Sequence, residues 1–226
     1  MMKKIALIIF TLLVAVAAGA QGKYSVDVKN NWLDGTLTGG VKAAMNLPHF
    51  CFGKLPHGMR NGGQVGLWME YKPKAEKLKN WSLLTETVFS SEGGKFTINQ
   101  ALAHFLSDDV QLGGMAANVN QDIIVTENYI KVPVLVRYRF AQYFSAEAGP
   151  ELGFNVYSKA RVDGVDYDLG LGSRTHWFSV GLGAGATYYL TDYMQFNVRY
   201  NLGLTRTFKD VHDHQGNIQI GVAFQF

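Results

Sequence analysis

Large apolar residues occupy every second position in many segments of the chain. The final stretch, GNIQIGVAFQF, places Ile218, Ile220, Val222, Phe224 and Phe226 on one face and polar or small residues on the other. Because successive side chains of a β-strand point to opposite faces, this alternation predicts a strand. A half-buried sheet of a soluble protein gives the same pattern, so the other segments have to decide between the two environments.

The two-residue period recurs in eight segments, which cover residues 40–47, 64–71, 81–89, 130–140, 144–156, 178–190, 194–204 and 218–226. Short connections follow the second, fourth and sixth segments. Long connections cover roughly residues 48–62, 91–127, 158–175 and 208–215. An even number of strands, with short turns alternating with long loops, predicts an all-β, eight-stranded antiparallel transmembrane β-barrel with both termini on the periplasmic side.

The direction of the pattern separates this barrel from a soluble ligand-binding barrel. A soluble barrel is apolar inside and charged outside, whereas here nearly every mid-strand charge falls on the face opposite the apolar one. The apolar face of the closing strand, Ile218 to Phe226, is therefore predicted to meet lipid. Aromatic residues near the periplasmic strand ends predict an interfacial girdle of Tyr138, Phe140, Tyr143, Tyr188, Tyr193 and Phe224.

The N-terminus has the pattern of an export signal. Lys3 and Lys4 precede an apolar run from Ile5, and Ala18-Gly19-Ala20 fits a cleavage site. We expect a cleaved signal peptide over residues 1–20, an N-terminal periplasmic segment over 21–37 and a barrel domain over 38–226. The alternative, a transmembrane anchor, is disfavoured by the short apolar run.

Charge and cysteine content narrow the possible partners. Without Lys3 and Lys4 the formal charge falls from +3 to +1, which offers no overall field for binding nucleic acid. The single cysteine, Cys51, cannot form an internal disulfide. We therefore expect outer-membrane lipid and the barrel-assembly machinery as partners, and no nucleic acid.

Six segments within residues 38–226 carry a family pattern: GGVKAAMNL, GLWMEYK, WSLLTETVFSSEGGK, NYIKVPVLVRYRF, AEAGPELGF and VGLGAGATYYL. Together they resemble the PorT-like outer-membrane β-barrel family of Bacteroidetes. The resemblance implies an eight-stranded barrel in the outer membrane. Because the namesake of the family is tied to protein export, the resemblance also implies secretion-system or periplasmic proteins as partners.

Charged residues on the face opposite the large apolar residues are predicted to line the lumen. They are Lys42, Glu70, Glu86, Lys131, Arg137, Arg139, Glu147, Glu151 and Arg199. Side chains just fill the interior of an eight-stranded barrel, so we expect these charges to pair and close it. The alternative is a narrow ion path or proton relay. A second alternative, a small-solute channel, requires an open lumen.

Two motifs invite a chemical interpretation. GLGAGA resembles a dinucleotide-binding loop, but Gly181, Gly183 and Gly185 alternate within a strand that leads into another strand, so we expect no cofactor. KDVHDHQ places Asp210, His212, Asp213 and His214 in the last outer loop, where adjacent ligands lack the supporting shell of a metal site. We expect a solvated loop and no bound metal.

An outer-membrane protease or lipid-modifying enzyme is the main alternative to an interaction barrel. Asp108 and Asp109 would meet Asp210 and His212 at the rim in such an enzyme, but the sequence places no nucleophile beside a base. Residues 99–109 have the spacing of a short amphipathic helix, and His49, Cys51 and His57 lack a fourth zinc ligand. The sequence thus predicts a non-enzymatic barrel with a filled lumen.

Overall fold

The fold is known from a computed structural model, which describes residues 25–30, 33–51, 57–58, 61–98, 121–162, 165–168, 176–205 and 214–226. One short 3-10 helix, Glu76–Leu78, lies among strands in the described residues. The strands are β1 (Ser25–Asn30), β2 (Leu33–Cys51), β3 (His57–Gly58), β4 (Gly62–Pro73), β5 (Trp81–Ile98), β6 (Gln121–Ala141), β7 (Phe144–Val162), β8 (Val165–Asp168), β9 (Phe178–Tyr189), β10 (Met194–Gly203) and β11 (His214–Gln225).

Eight of these strands form a closed antiparallel ring. Going round it, β2 pairs with β4, followed by β5, β6, β7, β9, β10 and β11. The ring closes where β11 pairs with β2, from His214 opposite Cys51 to Gln225 opposite Gly40. The predicted eight-stranded antiparallel barrel is therefore confirmed.

Burial alternates along each strand of the ring. On β11, Gln219 is 1% exposed and its neighbour Ile220 is 45% exposed. Large apolar side chains thus cover the outer wall, while polar side chains are buried in the lumen. This arrangement is the inverse of a soluble protein and is what a barrel with lipid around it requires.

The short turns lie at one end of the ring. Ala141 pairs with Phe144 across a two-residue turn between β6 and β7. Between β9 and β10, the hydroxyl of Thr191 accepts hydrogen bonds from the backbone N–H groups of Tyr193 and Met194 at 3.2 and 3.0 Å. Tight turns of this kind connect neighbouring antiparallel strands, and in outer-membrane barrels they lie on the periplasmic side.

The strands extend further into the predicted loops than the sequence indicated. β5 continues to Ile98 and β6 begins at Gln121, so the predicted loop over residues 91–127 was wrong at both ends. The predicted loop over 158–175 contains the end of β7 and the β7–β8 hairpin. Polar residues interrupt the apolar alternation there, but the backbone ladder continues because its hydrogen bonds do not depend on side-chain polarity.

A hairpin extends the ring at the short-turn end. β1 pairs with the start of β2, from Ser25 opposite Thr38 to Asn30 opposite Leu33. It occupies the same edge of β2 as β11, just beyond the point where the N–H of Phe226 donates to the carbonyl oxygen of Gly39 at 3.1 Å. Most of the predicted periplasmic segment, residues 21–37, thus belongs to this hairpin as far as the structure describes it.

Candidate functional site

The middle of the lumen holds a chain of buried ion pairs, which we call the balanced chain. Arg137 donates to Glu70 Oε2 from Nη1 at 2.9 Å and to Glu147 Oε2 from Nη2 at 2.7 Å. Arg199 donates to Glu147 from Nε at 2.9 Å and to Glu86 from both terminal nitrogens at 3.0 and 2.8 Å. Lys42 Nζ donates to Glu86 at 3.0 Å. The members of the balanced chain are Glu70, Arg137, Glu147, Arg199, Glu86 and Lys42.

Charge cancels within the balanced chain, since three carboxylates alternate with three bases. Their side chains are at most 4% exposed, so water contributes little to their solvation. Buried charges are tolerated only where hydrogen bonds and opposite charges replace the lost water. Each carboxylate here has at least one such partner, so the balanced chain fills the lumen at a tolerable electrostatic cost.

The ring geometry makes these pairings possible. The six members come from β2, β4, β5, β6, β7 and β10, at positions where the side chain points inward. On β9, Gly185 lies opposite Arg199, and a Cβ there would clash with the carbonyl oxygen of Val198 and lie 3.0 Å from Arg199 Cβ. The glycines of GLGAGA therefore leave space for an arginine that reaches across the barrel.

A second polar group lies nearer the long-loop end, and we call it the acid-rich layer. Lys131 Nζ lies 2.6 Å from Glu92 Oε1 and 2.8 Å from Glu151 Oε1. Glu127 is fully buried on the same inner face of β6. The acid-rich layer consists of Glu92, Glu127, Lys131 and Glu151, and it contains three carboxylates for one ammonium.

An apolar cluster also occupies part of the lumen. Trp68, Leu84, Leu135 and Ala223 are each at most 3% exposed and contact one another. The indole N–H of Trp68 donates to the carbonyl oxygen of Val41 at 3.2 Å. Because this cluster excludes water beside the balanced chain, it strengthens the ion pairs there and helps to close the interior.

The lumen retains a small cavity at the long-loop end. Its volume is about 30 Å³, and the residues that line it include Glu92, Lys131, Glu151, Asn201 and Asn217. A cavity of this size has room for about one or two water molecules. It is far smaller than a pathway that would let solutes cross the barrel.

Eight of the nine residues predicted for the lumen charge network form buried ion pairs there. Arg139 is the exception, because its guanidinium lies over the ring of Tyr189, 4.1 Å from the ring centroid. The register between β6 and β7 shifts just after Arg139, and the residue is only half-buried. Its position at the barrel end therefore separates it from the network in which the sequence placed it.

The outer wall carries the residues predicted to face lipid. Ile220 and Phe224 are 45% and 46% exposed, and Ile218, Val222 and Phe226 are partly exposed on the closing strand. Aromatic rings are in contact at the short-turn end, with centroids 4.7 Å apart for Trp81 and Tyr138 and 5.0 Å apart for Phe144 and Tyr188. All six residues of the predicted girdle are exposed on this wall: Tyr138, Phe140, Tyr143, Tyr188, Tyr193 and Phe224.

The remaining candidates are only partly described. Asp108, Asp109, Asp210, His212, Asp213 and residues 99–109 lie outside the described residues, as do the side chains of Cys51 and His57. The ring of His49 packs against Tyr200, with centroids 5.9 Å apart. Among the described residues, no three His, Cys, Asp or Glu side chains are grouped as a metal-ligand set.

Sequence reasoning missed two parts of the lumen. It treated Glu92 and Glu127 as loop residues. Glu92 lies two positions after Ser90 and Glu127 two positions before Tyr129, so all four side chains point inward. It also placed Trp68, Leu84 and Leu135 on the inner face without recognising that they would pack together. Continuing the two-residue parity past the last large apolar residue of each strand would have found the acid-rich layer.

Outside the ring, one ion-pair cluster holds the β7–β8 hairpin. Arg161 Nε donates to Asp166 Oδ1 at 2.6 Å, and Lys159 Nζ donates to Asp166 Oδ2 at 2.9 Å. These hydrogen bonds, first from Arg161 and then from Lys159, hold the pKa of Asp166 well below its usual range. The hairpin therefore presents a charged, solvent-exposed surface at the long-loop end.

Comparison with known proteins agrees with this geometry. Residues 18–209 match the family described as outer membrane protein beta-barrel domain. No curated protein sequence matches the chain significantly. Within the described residues, no helix is long and apolar enough to cross a membrane.

Solved structures of small outer-membrane barrels are similar to this chain. Neisserial surface protein A is 12% identical with a TM-score of 0.51, and the match covers 83% of this chain and 97% of that one. The attachment invasion locus protein Ail of Yersinia pestis is 12% identical with a TM-score of 0.45, covering 84% and 99%. At 12% identity, the likeness to Neisserial surface protein A concerns the fold alone.

Proposed function

The chain belongs to the family of outer membrane protein beta-barrel domains, and from that premise we propose that it is a closed, non-catalytic interaction barrel. The barrel anchors the chain in the outer membrane. Its two ends contact other macromolecules, and its interior carries no solute.

The filled lumen is the observation that supports this proposal. Arg199 is 1% exposed and is held from two sides by Glu86 and Glu147. The apolar cluster around Trp68 and Leu135 occupies further interior space. An interior packed in this way leaves the ends of the barrel as the surfaces on which partners bind.

The β1–β2 hairpin is the surface that we propose for a periplasmic partner. β1 ends the strand order, so within the described part of the chain its second edge pairs with no strand. An edge of this kind accepts an extended segment of another protein by strand addition. Val26 on β1 is 56% exposed and supplies an apolar contact beside the free edge.

A role in protein export is the finer part of the proposal. It follows from the resemblance of YIKVPVLVRY and GPELGF to the PorT-like family. In that role the hairpin binds a component of the export machinery on the periplasmic side, and the barrel holds that component at the membrane.

Conductance of the purified barrel tests whether it is closed. The mature chain is reconstituted into planar bilayers after its folding has been checked by the heat-dependent shift in electrophoretic mobility. We expect no steady ohmic current. Steady conductance from the folded protein would contradict a closed barrel and favour the small-solute channel.

A deletion strain tests the export role. Proteins in the medium and on the cell surface are compared between the parent, the deletion strain, and strains complemented with the intact gene or with a gene lacking β1 (Ser25–Asn30). We expect selective loss of exported proteins, restored by the intact gene only. An unchanged profile in the deletion strain would refute the export role and leave the interaction barrel without this partner.

A further inference from the structure

The β4–β5 connection is the most basic of the short connections at the periplasmic end. Its sequence from Lys72 to Lys79, KPKAEKLK, carries four lysines and one carboxylate. The β6–β7 turn consists of Gln142 and Tyr143, and the β9–β10 turn has Asp192 as its charged residue. Among the three short connections within the ring, positive charge is therefore concentrated between β4 and β5.

Two of the four lysines already have partners. Lys74 Nζ lies 3.2 Å from Asp27 Oδ1 and 3.7 Å from Asp34 Oδ1, so it holds the connection against the β1–β2 hairpin. Lys72 Nζ lies 3.7 Å from Glu70 Oε1 at the end of the lumen. Both contacts lie on the side of the connection next to the hairpin and the lumen.

The other two lysines, Lys77 and Lys79, are exposed, and their ammonium groups form no ion pair or hydrogen bond within the part of the chain that the structure describes. The 3-10 helix Glu76–Leu78 fixes the backbone around them, with hydrogen bonds from the N–H of Leu78 to the carbonyl oxygen of Ala75 at 2.8 Å and from the N–H of Lys79 to that of Glu76 at 3.4 Å. Leu78, between the two lysines, is 45% exposed. An ordered turn thus presents two unpaired ammonium groups and an apolar side chain.

This turn lies next to the aromatic residues at the short-turn end. Trp81 follows Lys79 by two residues, is 43% exposed on the outer wall and contacts the ring of Tyr138. The N–H of Arg139 donates to the carbonyl oxygen of Asn80 at 2.8 Å, so strand pairing continues up to the turn. Aromatic belts lie at the level of the lipid headgroups, and two extended residues span only about 7 Å. The long side chain of Lys79 is therefore within reach of the headgroup phosphates.

We propose that the β4–β5 turn binds phospholipids with a net negative headgroup in the periplasmic leaflet, with Lys77 and Lys79 contacting the phosphates and Leu78 packing among the lipid chains. Lysines near an anionic membrane surface are attracted to it, and an apolar side chain between them adds buried area. The membrane is the occupant because the aromatic residues place the turn at its surface. The barrel thus gains a preference among the lipids around it, which is separate from its protein partners.

Lipid enrichment around the folded barrel tests the proposal. The mature chain is reconstituted in phosphatidylcholine vesicles that contain a trace of phosphatidylglycerol or, in parallel, of phosphatidylcholine, each carrying a dansyl group on one acyl chain. Energy transfer from tryptophan to dansyl gives the ratio of the two lipids beside the protein. We expect phosphatidylglycerol to be enriched. The double variant Lys77→Gln, Lys79→Gln should lower this enrichment about threefold or more, and high salt should also lower it.

Lys74→Gln is the matched control, because it removes one positive charge from the same connection, where the ammonium is already paired with Asp27. It should lower the enrichment less than Lys77→Gln or Lys79→Gln alone. Glu76→Gln should raise the enrichment, since it removes the single carboxylate of residues 72–79, and a lower enrichment would contradict the proposal. The heat-dependent shift in electrophoretic mobility checks that each variant is folded.

Two results would overturn the lipid site. Equal enrichment of the two labelled lipids around the wild-type barrel would exclude a preference for anionic headgroups and would favour an acidic protein as the partner of Lys77 and Lys79. Equal losses for Lys74→Gln and Lys79→Gln would show that net charge, rather than the arrangement of the turn, determines which lipid is enriched.

Discussion

The two polar regions of the lumen use the same residue types and differ in charge balance. In the balanced chain, three carboxylates alternate with three bases, and Arg137 and Arg199 each bridge two carboxylates. In the acid-rich layer, the ammonium of Lys131 is shared by Glu92 and Glu151, at 2.6 and 2.8 Å. The same barrel therefore buries one set of charges in strict alternation and another in which two carboxylates share one ammonium.

The difference shows that burial alone does not mark a functional group in this barrel. Arg199 and Glu127 are equally inaccessible, at 1% and 0% exposure. Arg199 has hydrogen-bonded carboxylates on two sides, whereas Glu127 lies directly opposite another carboxylate, Glu92, in the β5–β6 register. Like charges on facing positions of two strands are what distinguish the acid-rich layer.

Removing Arg199 from the balanced chain should have the largest effect. Arg199→Met leaves Glu86 and Glu147 short of positive charge inside the lumen. We expect the free energy of unfolding to fall by about 3–5 kcal/mol, because the carboxylates stay buried without the positive charge that offset their desolvation. Urea unfolding of the barrel in lipid or detergent measures this change.

Arg139→Met is the matched control, because it removes another arginine that lies over Tyr189 at the barrel end. A loss of about 1 kcal/mol is expected from the cation–π contact alone. Equal losses for the two variants would contradict a special role of the balanced chain.

Removing a lysine from each region compares the two directly. Lys131→Met deprives two carboxylates of their shared partner, and we expect a loss of about 2–3 kcal/mol, reduced by proton uptake on the carboxylates. Lys42→Met should cost less, because Arg199 remains on Glu86. Thermal unfolding midpoints of both variants at one pH test the order. A larger loss for Lys42→Met would reverse the comparison.

A change on the glycine-lined wall probes the packing of the balanced chain. Gly185→Ala brings a methyl group against Arg199 and the carbonyl oxygen of Val198. We expect a loss of about 1–2 kcal/mol from overpacking. Gly63→Ala is the control, since a Cβ there would be 3.8 Å from the carbonyl oxygen of Ala44. Urea unfolding of both variants should show a measurable loss for the first only.

The smallest effect is expected outside the ring, at Asp166. Its pKa is lowered in the folded hairpin by Arg161 and Lys159, so its stabilising contribution is present above the ordinary carboxylate pKa and is lost as the pH falls through the lowered value. Asp166→Asn should speed local amide exchange in β8 at neutral pH and leave the unfolding midpoint unchanged. A lower midpoint would show that the hairpin is coupled to the lumen.

The alternation of residues such as Ile220 and Gln219 predicted the ring and its two faces, because the two-residue period shows which side of a strand is polar. The period does not show which lumen charges pair with one another. Arg199 bonds to Glu86, 113 positions away, because ring closure brings β10 and β5 to opposite walls. Arg139 has the same parity as Arg137, but a register shift changes its surroundings.

The closing seam between β11 and β2 also sets an order of events during biogenesis. Lys42 on β2 donates to Gln219 on β11 at 3.3 Å, a contact between residues 177 positions apart. Until β11 has paired with β2, Lys42 and Glu86 lie beside an open sheet edge in the bilayer. An ionised group there has a high free-energy cost. The charges that are paired in the closed barrel therefore raise the free energy of any partly closed sheet. This favours a single, late step in which β11 pairs with β2.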